Sequence, residues 1–360
     1  MHNDFTYSQI ACYKRCPLKW YFKYHRLLQP RTRSKAFEIG SYVHHLLEQF
    51  YMLPQEKDMT DVELKEAVFK ASTAYYDDKT KDLFEEEIDG VADIRCDAEE
   101  ITNRYMDKYM VDHEKYSPLW VEKEFAIKIR NPQGRRTKDV LRGKFDMGVT
   151  DEFDTAWLFE HKTTGISVDN RLETVDLDEQ LDLYQMVADT VPDLLPDFGG
   201  IVFNIMRKKP PTIPRVLQRP AGSLSKAKDI DTTYDVYMES IRKHGLNPAD
   251  YTEILGILKE KGDTFFGRKL VQRSQSRINN VRNSLYYTVK RIKDNAKQYE
   301  KTNDLNVFHR TPNFMCPRDC EYCELCIMQS KQCDWEGHAM ATFDIRETLN
   351  PELSGVDLME

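Results

Sequence analysis

Two strand-like segments near the middle of the chain constrain its fold more than any other feature. The first reads Leu141-Arg-Gly-Lys-Phe-Asp146-Met-Gly-Val-Thr150, and after a short acidic turn the second reads Ala156-Trp-Leu-Phe-Glu160-His-Lys162-Thr-Thr-Gly165. Side chains alternate along a strand, so Glu160 and Lys162 share one face and His161 points to the other. If the strands pair as a hairpin, Asp146 approaches the Glu160 face. Two carboxylates converging beside a lysine form a hard oxygen site for Mg²⁺ or Mn²⁺. Such a site suits phosphodiester hydrolysis, with the metal polarising phosphate and water and the lysine positioning water or meeting developing charge.

At 360 residues the chain exceeds a typical single domain, but one core with helical additions can accommodate it. An apolar content of 40% is enough for a buried core. No long apolar run reads as a membrane span, and the first residues lack the charged and apolar regions of a signal peptide. A cytoplasmic location, in a bacterium or a phage-infected cell, is the resulting expectation. The net charge of −8 argues weakly against a protein that coats nucleic acid, so the distribution of charge matters more. Residues 13–35 hold eight Lys/Arg and no acid, and residues 267–297 hold nine with only Asp294 against them. Basic segments on an acidic molecule suit local engagement of a polyanion; the competing reading is two solvated helix faces.

Along the chain, residues 8–26 read as a helix with Ser8 as a candidate cap, dense in aromatics (Tyr13, Trp20, Tyr21, Phe22, Tyr24). Val43, Leu46, Leu47 and Phe50 give residues 38–52 an amphipathic helical period. Further helices are expected at about 61–77 and 93–113. The period then changes, with strands at about 119–129, 139–149 and 156–163, a helix at 178–190 and a strand at 200–206. Residues 222–300 read as mostly helical. This order implies an α/β core with a mixed sheet, embedded in helices at both ends.

These fragments together resemble the RecB-type branch of the PD-(D/E)xK nuclease superfamily, including CRISPR-associated RecB-like exonucleases and phage relatives. Thr6 through Tyr21, with its Cys16-Pro17 step, looks like the family's opening helix. Gly40-Ser-Tyr-Val-His44 is similar to its GxxxH helix, Gly143-Lys-Phe-Asp146 to its GxxD strand, Glu160-His-Lys162 to its (D/E)xK strand, and Gln180 through Tyr184 to its QxxxY helix. The resemblance implies metal ligation by His44, Asp146 and Glu160. It gives Lys162 the task of orienting water or stabilising charge, and Gln180 and Tyr184 that of contacting DNA or bracing Lys162. The implied fold is a restriction-endonuclease-like mixed-sheet core with N- and C-terminal helical additions and a C-terminal cysteine cluster. The expected division is a helical region at 1–115, a nuclease core at 116–215, a helical DNA-contacting region at 216–305 and an iron–sulfur region at 306–360.

Cys316, Cys320, Cys323, Cys326 and Cys333 fall within 18 residues, with Cys12, Cys16 and Cys96 far upstream. In a cytosolic protein, clustered cysteines read as metal ligands, either for tetrahedral Zn²⁺ or for an iron–sulfur cluster. Cys316-x₃-Cys320-x₂-Cys323 matches a radical-SAM triplet literally, but that triplet opens a large barrel and only 37 residues follow here. Resemblance to iron–sulfur RecB-like nucleases implies instead a [4Fe–4S] cluster on Cys16, Cys316, Cys320 and Cys326. The usual family spacing is C-x₂-C-x₅-C, so this chain departs by one residue. Cys323, Cys333 and Cys12 therefore compete for a ligand position.

The reading that follows is a Mg²⁺- or Mn²⁺-dependent deoxyribonuclease, an exonuclease acting on DNA ends in recombination, repair or phage DNA processing. The basic segments are expected to meet phosphates, and the N-terminal aromatics to stack on unpaired bases and favour ends or single strands. The chain contains no Walker-type loop, so unwinding would need a helicase or recombinase in trans. The alternatives are a non-catalytic DNA-binding adaptor of the same fold and a zinc-stabilised interaction module.

Overall fold

The computed structural model describes residues 3–31, 35–56, 59–81, 85–350 and 353–359. It begins with strand β1 (Asp4–Thr6), helix α1 (Tyr7–Arg15), the short helix α2 (Pro17–Trp20), a π-helical turn at Tyr21–His25 and strand β2 (Leu28–Pro30). Three long helices follow, α3 (Lys35–Glu56), α4 (Asp61–Thr80) and α5 (Glu85–Tyr109), then the single turn α6 (Asp112–Lys115). The central block is β3 (Tyr116–Arg130), β4 (Arg136–Asp151), β5 (Ala156–Thr164), α7 (Val168–Glu173), α8 (Glu179–Thr190) and β6 (Phe198–Arg207). A small unit contains β7 (Val216–Gln218), β8 (Ala221–Leu224), α9 (Tyr234–Lys243) and α10 (Thr252–Lys261). The chain then returns to the core through β9 (Phe266–Val271) and α11 (Gln275–Thr302), and ends in α12 (Cys316–Asp319), α13 (Cys323–Ser330), α14 (Trp335–Thr342) and β10 (Phe343–Ile345).

Six strands form one mixed sheet in the order β1-β4-β5-β6-β9, with β3 on the other edge of β4. The β3, β4 and β5 meander is antiparallel, β5 and β6 are parallel, and β9 returns antiparallel to β6. A parallel pair needs a crossover, and α7 with α8 supplies it. This is the mixed-sheet, restriction-endonuclease-like architecture expected from the sequence.

Alternation in the strands divides the core into two layers. Phe159, Val202 and Met147 pack under α3 and α5 with Val43, Leu46, Phe50 and Tyr105. Leu158, Ile201 and Phe203 share the opposite cluster with Ile10, Leu181, Val187, Val281 and Leu285 of α1, α8 and α11. Glu160 has the parity of Leu158, and His161 that of Phe159, so the Glu-His-Lys triplet divides its side chains between the layers.

Three local expectations need correction. The helix at 8–26 breaks at Cys16, which is extended (φ −161°, ψ 109°) because the residue before a proline avoids helical geometry. Pro17 then opens a new helix, and the cap of α1 is Thr6 rather than Ser8, its hydroxyl accepting from the Gln9 N–H at 3.3 Å. The Phe266–Val271 strand interrupts the region read as mostly helical. Its pairing along β6 is a long-range contact that local periodicity does not encode.

The third correction concerns function. Tyr13, Trp20, Tyr21, Phe22 and Tyr24 are all buried. Tyr21 and Phe22 pack edge-on with Trp335, and Tyr322 stacks with Phe22 and donates to the Leu28 carbonyl at 2.7 Å. These rings hold the two ends of the chain together and are closed to nucleic-acid bases. β10 pairs antiparallel with β2 in the same junction.

Candidate active site and cysteine cavity

Pairing between β4 and β5 runs from Thr150↔Ala156 to Met147↔Phe159. Beyond that point the Asp146 carboxylate takes over from the main chain, its Oδ2 accepting the His161 N–H at 2.7 Å. The hairpin geometry thus brings Asp146 to the Glu160 position. Lys162 lies beside it, Nζ 2.8 Å from Glu160 Oε1. Helix α3 delivers His44 from the other layer, Nδ1 3.5 Å from Asp146 Oδ1.

The structure adds a residue that sequence reasoning did not single out. Glu122 of β3 has a ligand oxygen in a group with His44 and Asp146 whose atoms all lie within 4.8 Å of one another. Its backbone has φ +51°, a left-handed conformation that is uncommon for a residue with a side chain. Around it β3 changes layers, since Val121 packs in the α3 cluster and Phe125 in the α8 cluster. Backbone strain of this kind costs on the order of 1–3 kcal/mol and tends to gather at functional sites. No local sequence signal announces a positive φ. Lys144 forms an ion pair with it.

The titratable groups are driven apart. Burial alone would raise the Asp146 carboxyl, but the His44 imidazole, with Lys162 adding to it, holds it well below the usual carboxylate range. Burial and the Asp146 charge push Glu160 up to about 7, against the pull of Lys162. Lys162 is raised despite its own burial, because Glu160 and Asp146 face it, so it is a cation and a donor. Burial raises Glu122, with Asp146 adding to it and Lys144 opposing. Burial pushes His161 down to about 3, so its ring is neutral. Two neighbouring carboxyls with separated affinities for protons are a recurrent mark of a working site.

The donor set fits a hard divalent cation. One imidazole nitrogen and carboxylate oxygens converge, and Glu160 Oε2 is buried without a hydrogen-bond partner among the described residues. Gln180 and Tyr184 stand on α8 as a relay. Gln180 donates to the Tyr184 hydroxyl at 2.8 Å, and that hydroxyl donates to the Lys144 carbonyl at 2.9 Å. The relay therefore ends on the β4 backbone two residues before Asp146, while Lys162 turns to Glu160.

At the junction of the chain ends, Cys16, Cys316, Cys320, Cys323 and Cys326 line one cavity with Arg15, Phe22 and Arg310. Cys16 reaches it from the break between α1 and α2, and the other four from α12, α13 and the turn between them. Cys12 is half-buried nearby, its thiol pushed up to about 12 chiefly by desolvation, while Cys96 and Cys333 are exposed.

The basic segments fare differently from expectation. In the first, Lys14 pairs with Glu179, Arg15 with Asp319, Lys19 and Lys23 with Glu321, Arg26 with Glu336 and Arg31 with Asp344. Those cations clamp the chain's own acids. In the second, Arg268, Lys269, Arg273, Arg277 and Lys293 are also paired, but Lys290, Arg291 and Lys297 are exposed on α11 without an acidic partner among the described residues.

A family model for the PD-(D/E)XK nuclease superfamily matches residues 4–327 of the chain. No curated protein matches it. Among the described residues no helix is long and apolar enough to cross a membrane.

Proposed function

This chain belongs to the PD-(D/E)XK nuclease superfamily, and from that premise we propose that it is a Mg²⁺- or Mn²⁺-dependent deoxyribonuclease that works on DNA ends. The observation that carries the reading is the convergence of His44, Asp146 and Glu122 beside Glu160, whose free oxygen is buried next to Lys162. His44, Asp146 and Glu160 would hold the metal, with Glu122 as a further oxygen donor. The bound ion supplies Lewis-acid polarisation of phosphate and water. Lys162, held as a cation, donates a hydrogen bond that orients the attacking water or offsets charge on the phosphate; it has no lone pair with which to take a proton. Tyr184 and Gln180 anchor the β4 backbone that presents Asp146.

DNA leaving the site would follow α11. Ser284 of that helix accepts a hydrogen bond from Lys14, which also pairs with Glu179 at the start of α8. At 1.5 Å per residue, Lys290 and Lys297 lie roughly 9 and 20 Å further along. A row of exposed cations along one helix suits a polyanionic backbone. The cysteine cavity would hold a [4Fe–4S] cluster on Cys16, Cys316, Cys320 and Cys326, with Cys323 as the competing fifth thiol. Its role would be that of a staple between chain ends. Unwinding, where needed, would come from a helicase or recombinase partner.

The deciding experiment incubates anaerobically purified protein with end-labelled single- and double-stranded DNA and Mn²⁺ or Mg²⁺, alongside Asp146→Asn. Metal-dependent release of labelled nucleotide that Asp146→Asn abolishes is the expected result. Cleavage of closed circular DNA at a rate equal to that of ends would replace the exonuclease reading with an endonuclease one.

A further inference from the structure

A row of buried polar side chains crosses the sheet beneath α3 and α5, among apolar and aromatic neighbours such as Phe159, Val202, Met206 and Tyr105. The strand register sets His161 of β5 beside Asn204 of β6, and Asn204 beside Arg268 of β9. His161 and Asn204 are almost wholly buried, as is Asp112 of α6 above them. Asp112 takes both terminal nitrogens of Arg268, at 2.8 and 2.7 Å. Tyr51 of α3 donates to the same carboxylate at 2.8 Å, and its ring stacks on His161 at a centroid distance of 5.8 Å.

Stability gives little reason for such a row. A buried ion pair gains about as much as it loses by desolvation, and apolar replacements of similar size are often neutral or better. This one is also incomplete, since His161 Nδ1 and Asn204 Nδ2 have no hydrogen-bond partner among the described residues. Its position suggests another use. Tyr51 and His44 are seven residues apart on α3, two turns along one face. His161 lies between Glu160 and Lys162, and its N–H holds Asp146. The same network therefore touches the helix that carries His44 and the strand that carries Glu160.

We propose that the Arg268–Asp112 pair, acting through Tyr51 and the His161 ring, is a positioning device that sets the distance of α3 from the sheet and so presents His44 to the metal. The Tyr51 hydroxyl fixes the height of the helix, and the stacked ring fixes its lateral position. Tyr51 and His161 line the same small cavity as His44, Glu122 and Asp146 but stand outside that group of ligand atoms. The inference rests on the reading of His44 as a ligand.

The test uses the full-length chain and three variants. Tyr51→Phe keeps the ring stack and removes the tie to Asp112. Arg268→Met combined with Asp112→Leu removes both charges together. His44→Ala reports on the ligand itself. Mn²⁺ binding is read from the loss of the free-ion EPR signal, alongside the thermal midpoint and the cleavage rate at saturating Mn²⁺. Disturbing residues that orient a ligand weakens metal binding by roughly 10- to 100-fold, and this less direct device should give a smaller loss, about 3- to 10-fold. We expect that loss in Tyr51→Phe and in the double variant, with little change in thermal midpoint for Tyr51→Phe and with kcat recovered at high Mn²⁺. If His44→Ala weakens binding while a folded Tyr51→Phe binds Mn²⁺ as the parent does, the positioning role is wrong and the ligand stands. If His44→Ala itself binds normally, both fall. Should the double variant fail to fold, Tyr51→Phe alone decides.

Discussion

The carboxylate site and the cysteine cavity are built in opposite ways. The first is set largely by strand register, because Asp146 and Glu160, 14 residues apart in sequence, are brought together by a hairpin, and His44 and Glu122 come from farther away. The second joins residues about 300 apart, held by rings packed between the chain ends and by a fringe of ion pairs. One is a rigid constellation on the sheet, where geometry governs rate. The other is a closure, where geometry governs which ends stay together. The contrast predicts that damage to the first costs activity and spares the fold, and that damage to the second does the reverse.

The sharpest way to break this contrast is at the carboxylate site. Asp146→Asn, Glu160→Gln and Lys162→Met should each lower cleavage by at least about 10³-fold, with DNA binding retained, because these groups act on the transition state more than on the bound substrate. Gel-shift affinity and thermal midpoint measured beside the cleavage rate check it. Cleavage that persists in any two of the three would remove the assignment.

The next effect belongs to the cavity. Cys16→Ser should lower iron content and loosen both ends to limited proteolysis. Closing a loop of about 300 residues is worth roughly 5–6 kcal/mol on the chain-entropy scale, an upper figure because native strain and residual unfolded structure reduce it. Cys333→Ser, exposed and outside the cavity, should retain iron. Cys323→Ser is the informative case. Iron kept in Cys16→Ser and lost in Cys323→Ser would mean four C-terminal ligands and no staple.

How much of this was legible in the sequence follows from the same division. Asp146, Glu160 and Lys162 could be placed together from strand alternation and one hairpin, both local rules. The aromatics of α1 and α2 could not be read correctly, because composition shows a dense run of rings and says nothing of what covers them. The N-terminal cations misled for the same reason: their acidic partners, Asp319, Glu321 and Glu336, lie some 300 residues away. β9 was lost to its helical neighbours, since its six residues gain their shape from β6. Glu122 was invisible because its role depends on a backbone angle.

Glu122 sharpens the comparison at a smaller scale. Glu122→Gln should raise the Mn²⁺ concentration for half-maximal cleavage by about 10-fold, as expected for a group that helps to hold the ion without being its main ligand. Glu124 is an internal control. It is two residues away, is held by the Ser354 N–H at 2.8 Å and lies outside the metal group, so Glu124→Gln should leave the metal requirement unchanged. A metal titration of cleavage, backed by direct Mn²⁺ binding, separates them. Equal behaviour of the two would return Glu122 to the status of a partner for Lys144 alone.

The smallest expected effect concerns the path of the DNA, and it asks whether the two basic segments differ as the structure says. Each lysine or arginine that neutralises a phosphate releases condensed counterions, so the log of the binding constant falls with log salt at about 0.9 per contact on duplex and 0.7 on single strands. Lys290→Ala, Arg291→Ala and Lys297→Ala together remove three exposed cations that hold no acid among the described residues. The combined variant should shallow the salt slope by roughly 2–3, weaken binding several-fold at moderate salt and leave the cleavage rate at saturating DNA close to the parent. Lys19→Ala with Lys23→Ala is the counterpart. Both contact Glu321, so their loss should leave the slope nearly untouched and appear instead as a lower thermal midpoint, modest because exposed ion pairs are worth at most about 1 kcal/mol each. If the α11 variant keeps the parent slope while the Lys19/Lys23 variant loses it, the DNA runs over the cysteine end of the molecule, and the clamp and the track exchange roles.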